Sequence, residues 1–304
     1  MKLLVVGGSG LLGFKVAELA VNKFETFATY NFRPTELDGC SFLKLDKTDR
    51  DDTLALVNKL KPDVIIDTAA LHNVNYCETH RDEAWKVNVE GTRNITEACR
   101  AVGAKMIFVS TDYVFDGKKE VYTEEDASNP LNYYAKTKLE GERVVKEAGI
   151  DYVIARPSVI YGWNPSELAE LRSSSGKSMN FVVWAIDKLK KKEKINIVTD
   201  QYSCPTLADN LAEVLLVLSK SGKQGIYHTT GKTCINRFMF AKKIAEIFEL
   251  DEGLIKPVTS DLFKQVAGRP KRCCLDVTKA ERELGVRFLT VEEGLMKMKE
   301  QMNG

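Results

Sequence analysis

Tyr134-Ala-Lys-Thr-Lys138 sets a phenol and an ammonium four residues apart, so that on a helix both side chains point into one cleft. A phenol titrates near about 10 in water and relays protons poorly at neutral pH. A neighbouring cation stabilises the phenolate and brings proton transfer within reach. Upstream, Ser110-Thr111-Asp112-Tyr113-Val114-Phe115-Asp116-Gly117 lies at the carboxyl end of an expected strand, where the Thr111 hydroxyl can hydrogen-bond a substrate carbonyl. Thr111, Tyr134 and Lys138 therefore read as a trio that protonates a carbonyl oxygen as it gains charge.

A second set of residues suits a phosphate-bearing partner. Gly7, Gly10 and Gly13 form G-x-x-G-x-x-G between an apolar run and a helix start, with Leu11 and Leu12 inside the pattern. Glycines there allow a tight turn and let a pyrophosphate approach the helix N-terminus, where unpaired N–H groups favour anions. An acidic residue about 20 positions on would hold the ribose of NAD. The sequence has Thr29-Tyr30-Asn31-Phe32-Arg33 instead: Asn31 does not repel a 2′-phosphate and Arg33 can pair with one. NADPH is the favoured cofactor, with NADH the alternative.

These residues need a scaffold, and the hydrophobic pattern supplies one. Strands are expected at Lys2–Val6, Glu25–Tyr30, Phe42–Leu45, Asp63–Asp67, Lys105–Ser110 and Tyr152–Arg156, alternating with helices at 10–23, 49–60, 81–102 and 131–148. Strict alternation at short loop length predicts an α/β, doubly wound parallel sheet with ligands beyond the strand carboxyl ends. Residues 1–157 are expected to bind the dinucleotide and 158–304 to form mainly a smaller substrate lobe. The strand near 225–230 and the helix near 180–192 are expected to return to the first unit. Ser173-Ser174-Ser175-Gly176 marks a polar lid-like loop, in which Glu167 and Glu170 read as a solvated face.

Composition narrows the partners. Among 304 residues, 44 Lys and Arg balance 43 Asp and Glu, leaving +1 and no broad basic surface for nucleic acid or membrane. No run reaches the length of a membrane span, so a cytoplasmic protein is expected. The seven cysteines contain no C-x-x-C and read as buried, idle thiols; three histidines without metal spacing imply no metal site. Gly231-Lys232-Thr233 mimics the end of a P-loop, but Ile226 stands where its first glycine belongs. His228 reads as a structural histidine.

The longer motifs carry a resemblance. Residues 110–117, Pro130-Leu-Asn-x-Tyr134-x-x-x-Lys138-Leu-x-Gly-Glu142, Arg156-x-Ser158-x-x-Tyr161-Gly162, Asn180-Phe181, Asp200-Gln201-Tyr-x-x-Pro205-Thr206, Gly225-Ile-Tyr-His228 and Arg269-Pro270 resemble the dTDP-4-dehydrorhamnose reductases and their relatives, in order over essentially the whole chain. These are extended short-chain dehydrogenase/reductases with a Rossmann-like fold. The resemblance implies NADPH-dependent reduction of a nucleotide-activated 4-keto-6-deoxysugar, with dTDP-4-dehydrorhamnose giving dTDP-rhamnose. It makes Thr111, Tyr134 and Lys138 catalytic, puts Asp46, Ala69, Ala70 and Asn88 on the cofactor side, and has Tyr134 and Lys138 bind the cofactor as well, Lys138 at the nicotinamide ribose. It brings Tyr113, Asn180, Gln201 and Arg269 to the sugar nucleotide, and makes a homodimer an expectation. Val159 stands where the rhamnose enzymes carry Trp, and Trp163–Met179 is longer than their link. Two other readings share the motifs: a cofactor-binding regulatory subunit like the methionine adenosyltransferase β subunit, and a nucleotide-sugar epimerase, which Asn31 disfavours.

Overall fold

A computed structural model describes residues 1–164, 180–263 and 265–303. Seven strands form one parallel sheet in the order β11-β6-β5-β4-β1-β2-β3. They are β1 (Lys2–Val6), β2 (Glu25–Tyr30), β3 (Cys40–Lys44), β4 (Val64–Asp67), β5 (Lys105–Val109), β6 (Tyr152–Arg156) and β11 (Gly225–His228). The central strands are apolar on both faces because both are covered. Leu3, Val5, Ile66, Ile107 and Val153 pack under α1 (Leu11–Ala20) and the later helix Ala208–Lys220. Their strand neighbours Leu4, Val6, Ile65, Phe108 and Ile154 face the side that holds α2 (Arg50–Leu60), α5 (Gly91–Val102) and α6 (Tyr133–Glu147). This two-faced burial is what produces continuous apolar runs rather than alternation. The chain moves outward from β1 to β3, then returns to place β4 on the other side of β1. The loops after β1 and β4 thus flank the crevice at the reversal, the usual ligand position in such sheets.

Two local features differ from the sequence reading. A short helix, α3 (Val74–Thr79), capped by Asn73, occupies a stretch with no expected element. The expected long helix at 81–102 is divided into α4 (Arg81–Trp85), a π-helical turn over Lys86–Glu90, and α5. π-turns often serve to aim a functional side chain. Here the turn buries Asn88 completely.

A second core lies beyond the sheet. It joins α7 (Phe181–Lys190), α9 (Arg237–Ile247) and α11 (Val291–Asn303), with the parallel pair β8 (Ile195–Val198) and β13 (Ile255–Val258). The helix expected at 180–192 therefore does not return to the sheet, since Val182, Ala185, Ile186 and Leu189 of α7 all belong to this second core. The place against α1 is taken by α8 (Ala208–Lys220), while β11 does pair with β6 as expected. The two-residue strands β9 (Tyr202–Ser203), β12 (Ile235–Asn236) and β14 (Arg272–Cys273) make a small sheet beside it. The serine-rich loop, Glu167 and Glu170 lie outside the described residues.

The cysteine reading needs correction. Cys234 and Cys274 form a disulfide across 40 residues, with Cα atoms 5.5 Å apart. It ties the start of β12 to the end of β14, a pairing that spacing alone cannot reveal. Closing a loop of this length is worth about 2–4 kcal/mol. Reductant is therefore expected to lower the melting temperature in a calorimetric scan, and an unchanged transition would contradict a structural role. The free thiols of Cys40 and Cys204 are pushed up to about 11 by burial, consistent with idle groups.

Candidate active site

The glycine loop is built for close approach. Gly7 adopts φ +83°, which L side chains rarely take, and its carbonyl accepts the Gly10 N–H at 3.0 Å. Gly10 caps α1, and Leu12 is buried beneath the loop, while Leu11 borders Gly162. A Cβ at Gly13 would stand 2.3 Å from the Gly7 carbonyl oxygen. Gly13→Ala must therefore displace the loop, at a cost of about 1–3 kcal/mol. A thermal-shift titration should show a lower melting temperature and weaker dinucleotide retention; unchanged values would contradict the packing argument.

Opposite the loop, a Cβ on Gly7 would meet Ala69 atoms at 3.0 Å, so Ala69 faces the glycines, with Ala70 the next residue after β4. Asn88 pins this segment rather than lining it. Its Oδ1 accepts the Leu71 N–H (2.8 Å), and its Nδ2 donates to the Leu71 carbonyl and to Thr137 Oγ1, both at 3.0 Å. At the ends of β2 and β3 an open cleft of about 550 Å³ is lined by Asn31, Lys44, Asp46 and Lys86, among others. Lys44 and Lys86, rather than Arg33, are the cations on that lining.

Of the expected trio, Thr111 and Tyr134 meet beyond β5, while Lys138 is seated inward one turn along α6. Thr111 caps a 3₁₀ turn at Asp112–Val114, donating to Asp112 Oδ1 (3.1 Å) and accepting from the Tyr113 N–H (3.2 Å). Tyr134 lies on the first turn of α6, behind the Asn132 cap. Burial raises the Tyr134 phenol well above its ordinary range, opposed by the neighbouring Thr111 hydroxyl and reinforced by Asp112. Lys138 is buried, with its Nζ 4.0 Å from the centre of the Phe108 ring. Among the described residues its ammonium has no hydrogen-bond partner, and burial, aided by Lys47, pushes it down to about 7. The spacing argument expected Lys138 to lower the phenol. The groups acting on Tyr134 are instead burial, Thr111, Asp112, Cys77 and Tyr113, because the lysine is seated inward over Phe108.

The expected substrate residues are less uniform. Tyr113 lies edge-on to Tyr134, with ring centres 6.5 Å apart. Asn180 spends its side chain within the chain, donating to the Gly162 carbonyl (2.9 Å) and accepting from the N–H groups of Val182 and Val183 at the α7 cap. The Gln201 carbonyl accepts the Arg237 N–H at 3.0 Å. Arg269 donates to Ala267 O and to Asn75 Oδ1, which joins it to α3. Val159 has φ +41°, costly for a β-branched residue by about 1–3 kcal/mol. Thr206 holds it there, donating from N to the Val159 carbonyl and from Oγ1 to that of Ser158.

The RmlD substrate binding domain family matches residues 1–303. The chain belongs to that family. The dTDP-4-dehydrorhamnose reductase of Aggregatibacter actinomycetemcomitans is 32% identical over 299 residues, 94% of each chain. Methionine adenosyltransferase 2 subunit beta of Bos taurus is 31% identical over 293 residues, covering 92% of this chain and 81% of its own. The dTDP-4-dehydrorhamnose reductase of Bacillus anthracis, solved in complex with NADP, superimposes with a TM-score of 0.84 at 30% identity over 99% of both chains. UDP-glucose 4-epimerase of Thermotoga maritima has the same TM-score, 0.84, at 20% identity over 100% of this chain and 99% of its own, a likeness of fold alone.

This RmlD-family chain also holds charged groups at the site that the sequence reading passed over. Asp112 is buried, accepts from Ser158 Oγ (2.6 Å) as well as Thr111, and is pushed up to about 6 by burial. Arg237, the first residue of α9, lies over the Phe181 ring at 4.6 Å and interacts with Asp112, Tyr113 and Arg269. Its sequence setting, after Asn236, signals only a helix start. His228 is fully buried with Nδ1 3.1 Å from the Asp276 carbonyl, and burial drives it down to about 3, as a structural histidine requires.

Proposed function

We propose that this chain is an NADPH-dependent reductase of a nucleotide-activated 4-keto-6-deoxysugar, with dTDP-4-dehydrorhamnose as substrate and dTDP-rhamnose as product. The observation that carries the reading is the meeting of Thr111 and Tyr134 beyond β5, where Tyr113 lies edge-on to Tyr134 and burial holds the phenol in its neutral form. A reductase needs a proton donor at the keto oxygen, and a phenol with a raised pKa is protonated at neutral pH.

The residues present fit a dinucleotide: a glycine loop with no room for a Cβ at Gly13, a cleft beside Asn31, and a Lys138 ammonium without an acceptor among the described residues. Gly7, Gly10, Leu11, Leu12 and Gly13 would hold its pyrophosphate at the α1 N-terminus. Asn31, Arg33 and Lys44 would meet the 2′-phosphate, Asp46 the adenine, and Lys138 the nicotinamide ribose. When bound, NADPH supplies the reducing equivalent for the keto carbon. Tyr134 protonates the oxygen as it gains charge. Thr111, turning its single hydroxyl proton from Asp112 to the same oxygen, donates a hydrogen bond where charge accumulates. Arg237 and Arg269 would face the sugar nucleotide's diphosphate, with Tyr113 beside the sugar. This local arrangement suits a chain whose net charge is only +1.

The division into a dinucleotide unit (1–157) and a mainly substrate-binding remainder (158–304) belongs to the same proposal, as do a homodimer and a cytoplasmic location. No helix of the described residues is long and apolar enough to cross a membrane. Sedimentation velocity and cell fractionation test the last two. The decisive assay follows loss of NADPH absorbance on adding dTDP-4-dehydrorhamnose.

A regulatory subunit is the second reading, favoured by the 31% identity with methionine adenosyltransferase 2 subunit beta. Under that reading the same assay shows no turnover with any keto-sugar nucleotide, and a pull-down yields a stable complex with a methionine adenosyltransferase.

A further inference from the structure

Lys47 is a charge that the proposed chemistry does not use, sealed inside the molecule. It follows β3 in the turn to α2, and only 5% of it is exposed. Its Nζ donates to Asp67 Oδ2 (2.9 Å), Asp67 Oδ1 (3.2 Å) and the Ala69 carbonyl (2.7 Å). The aliphatic stem runs against Gly91, where a Cβ would stand 2.8 Å from Lys47 Cγ, and the Lys47 carbonyl accepts from Asn94 Nδ2 at 3.0 Å. Asp67 also accepts the Ala69 N–H at 3.1 Å. The pair therefore grips both backbone groups of the residue that faces Gly7 across the crevice.

Stability alone is a weak reason for such a pair, since two apolar side chains of the same volume would serve a core as well or better. What an apolar pair would not do is act on a neighbouring charge. Lys138 is that neighbour. The charged groups facing it are Lys47 from the β3–α2 turn, Asp67 from the end of β4 and Glu142 one turn further along α6. Lys47 favours loss of the Lys138 proton, adding to burial, while Asp67 and Glu142 oppose it. Asn88 joins the backbone of Leu71, two residues beyond Ala69, to Thr137, next to Lys138, so the two lysines are held on one connected segment.

We propose that Lys47, locked by Asp67, is a positioning residue that anchors the Ala69 backbone and directs a fixed positive charge at Lys138. The proposal rests on the reading of Lys138 as a cofactor-side group, and its test separates the two. The full chain, labelled with carbon-13 lysine and free of cofactor, is titrated by NMR, with the Lys138 signal assigned by its loss in Lys138→Arg. In the unsubstituted chain the expected midpoint of Lys138, pushed down by burial, is about 7. Lys47→Met leaves the Asp67 carboxylate beside it, and the midpoint moves to higher pH by about 1; Asp67→Asn leaves Lys47 uncompensated, and the midpoint moves to lower pH by about 1. Should Lys47→Met fail to fold, the neutral pair Lys47→Met/Asp67→Asn moves the midpoint upward by less, and Lys47→Arg retains the original position.

Opposite movements in the two single variants are a signature of charge that structural damage does not mimic. A Lys138 midpoint that stays in place in Asp67→Asn and in the double variant overturns the proposal. The pH limb of kcat/KM with the keto-sugar should follow the NMR midpoint. If the midpoint moves and the limb does not, the action of Lys47 on Lys138 stands and the role of Lys138 in the reaction falls.

Discussion

Tyr134→Phe should reduce turnover by about 10²–10⁴-fold while leaving NADPH affinity within a few-fold of the original. The substitution removes one oxygen and its proton. It keeps the aromatic ring, whose neighbours include Leu71, Cys77 and Ala84, so packing is preserved. With the phenol raised by burial, the lost function is that of a proton donor already charged with its proton at neutral pH. Steady-state kinetics beside a fluorescence titration of NADPH separate the two effects. A variant that keeps most of its turnover would remove Tyr134 from the chemistry. One that loses both turnover and NADPH binding would make it a cofactor contact.

Glu142→Ala should be among the most destabilising single changes, at about 3–5 kcal/mol. Glu142 has no exposed surface and lies behind the site, accepting from Arg156 Nε (2.8 Å), Arg156 Nη2 (2.6 Å) and Ser110 Oγ (2.6 Å). Arg156 is only 2% exposed, and its Nη1 already lacks a hydrogen-bond partner among the described residues. Removing the carboxylate leaves a guanidinium in the core with nothing to neutralise it. The strands β5 and β6 and helix α6, which carry Ser110, Arg156 and Glu142, lose their common tie. The melting temperature should fall by on the order of 10 °C. A denaturation midpoint close to that of the parent chain would show that water or a rearranged side chain replaces the carboxylate.

Much of this arrangement can be read in the amino-acid sequence, for identifiable reasons. β1 and β6 lie where their apolar runs end against charged or turn residues, and both sheet faces are buried, so composition alone marks them. The glycine loop and Tyr134 with Lys138 are legible because each is a local pattern bound to one element. Contacts between distant segments are not. The Cys234–Cys274 bond, the Arg237 approach to Asp112, and the Lys47–Asp67 pair join parts of the chain whose separation has no periodic signature. Lys47 in particular stands in Asp46-Lys47-Thr48-Asp49, which reads as a solvated turn. The 81–102 stretch reads as one helix because the π-turn leaves the chain helical on both sides of it, and only the tertiary structure shows that the turn puts Asn88 into the core. The Tyr134–Lys138 spacing places two groups on one helix face, yet it does not say that Phe108 draws the ammonium inward.

The central claim is that this site reduces a keto-sugar nucleotide, and isotope transfer tests it most directly. The protein is incubated with NADPH deuterated at the transferable position of its nicotinamide and with dTDP-4-dehydrorhamnose, and the sugar nucleotide is analysed by mass spectrometry. The account predicts one deuterium on C4 of the sugar in the product, with the Tyr134→Phe protein giving almost none. Unlabelled sugar and intact NADPH after prolonged incubation with folded, cofactor-bound protein would contradict it.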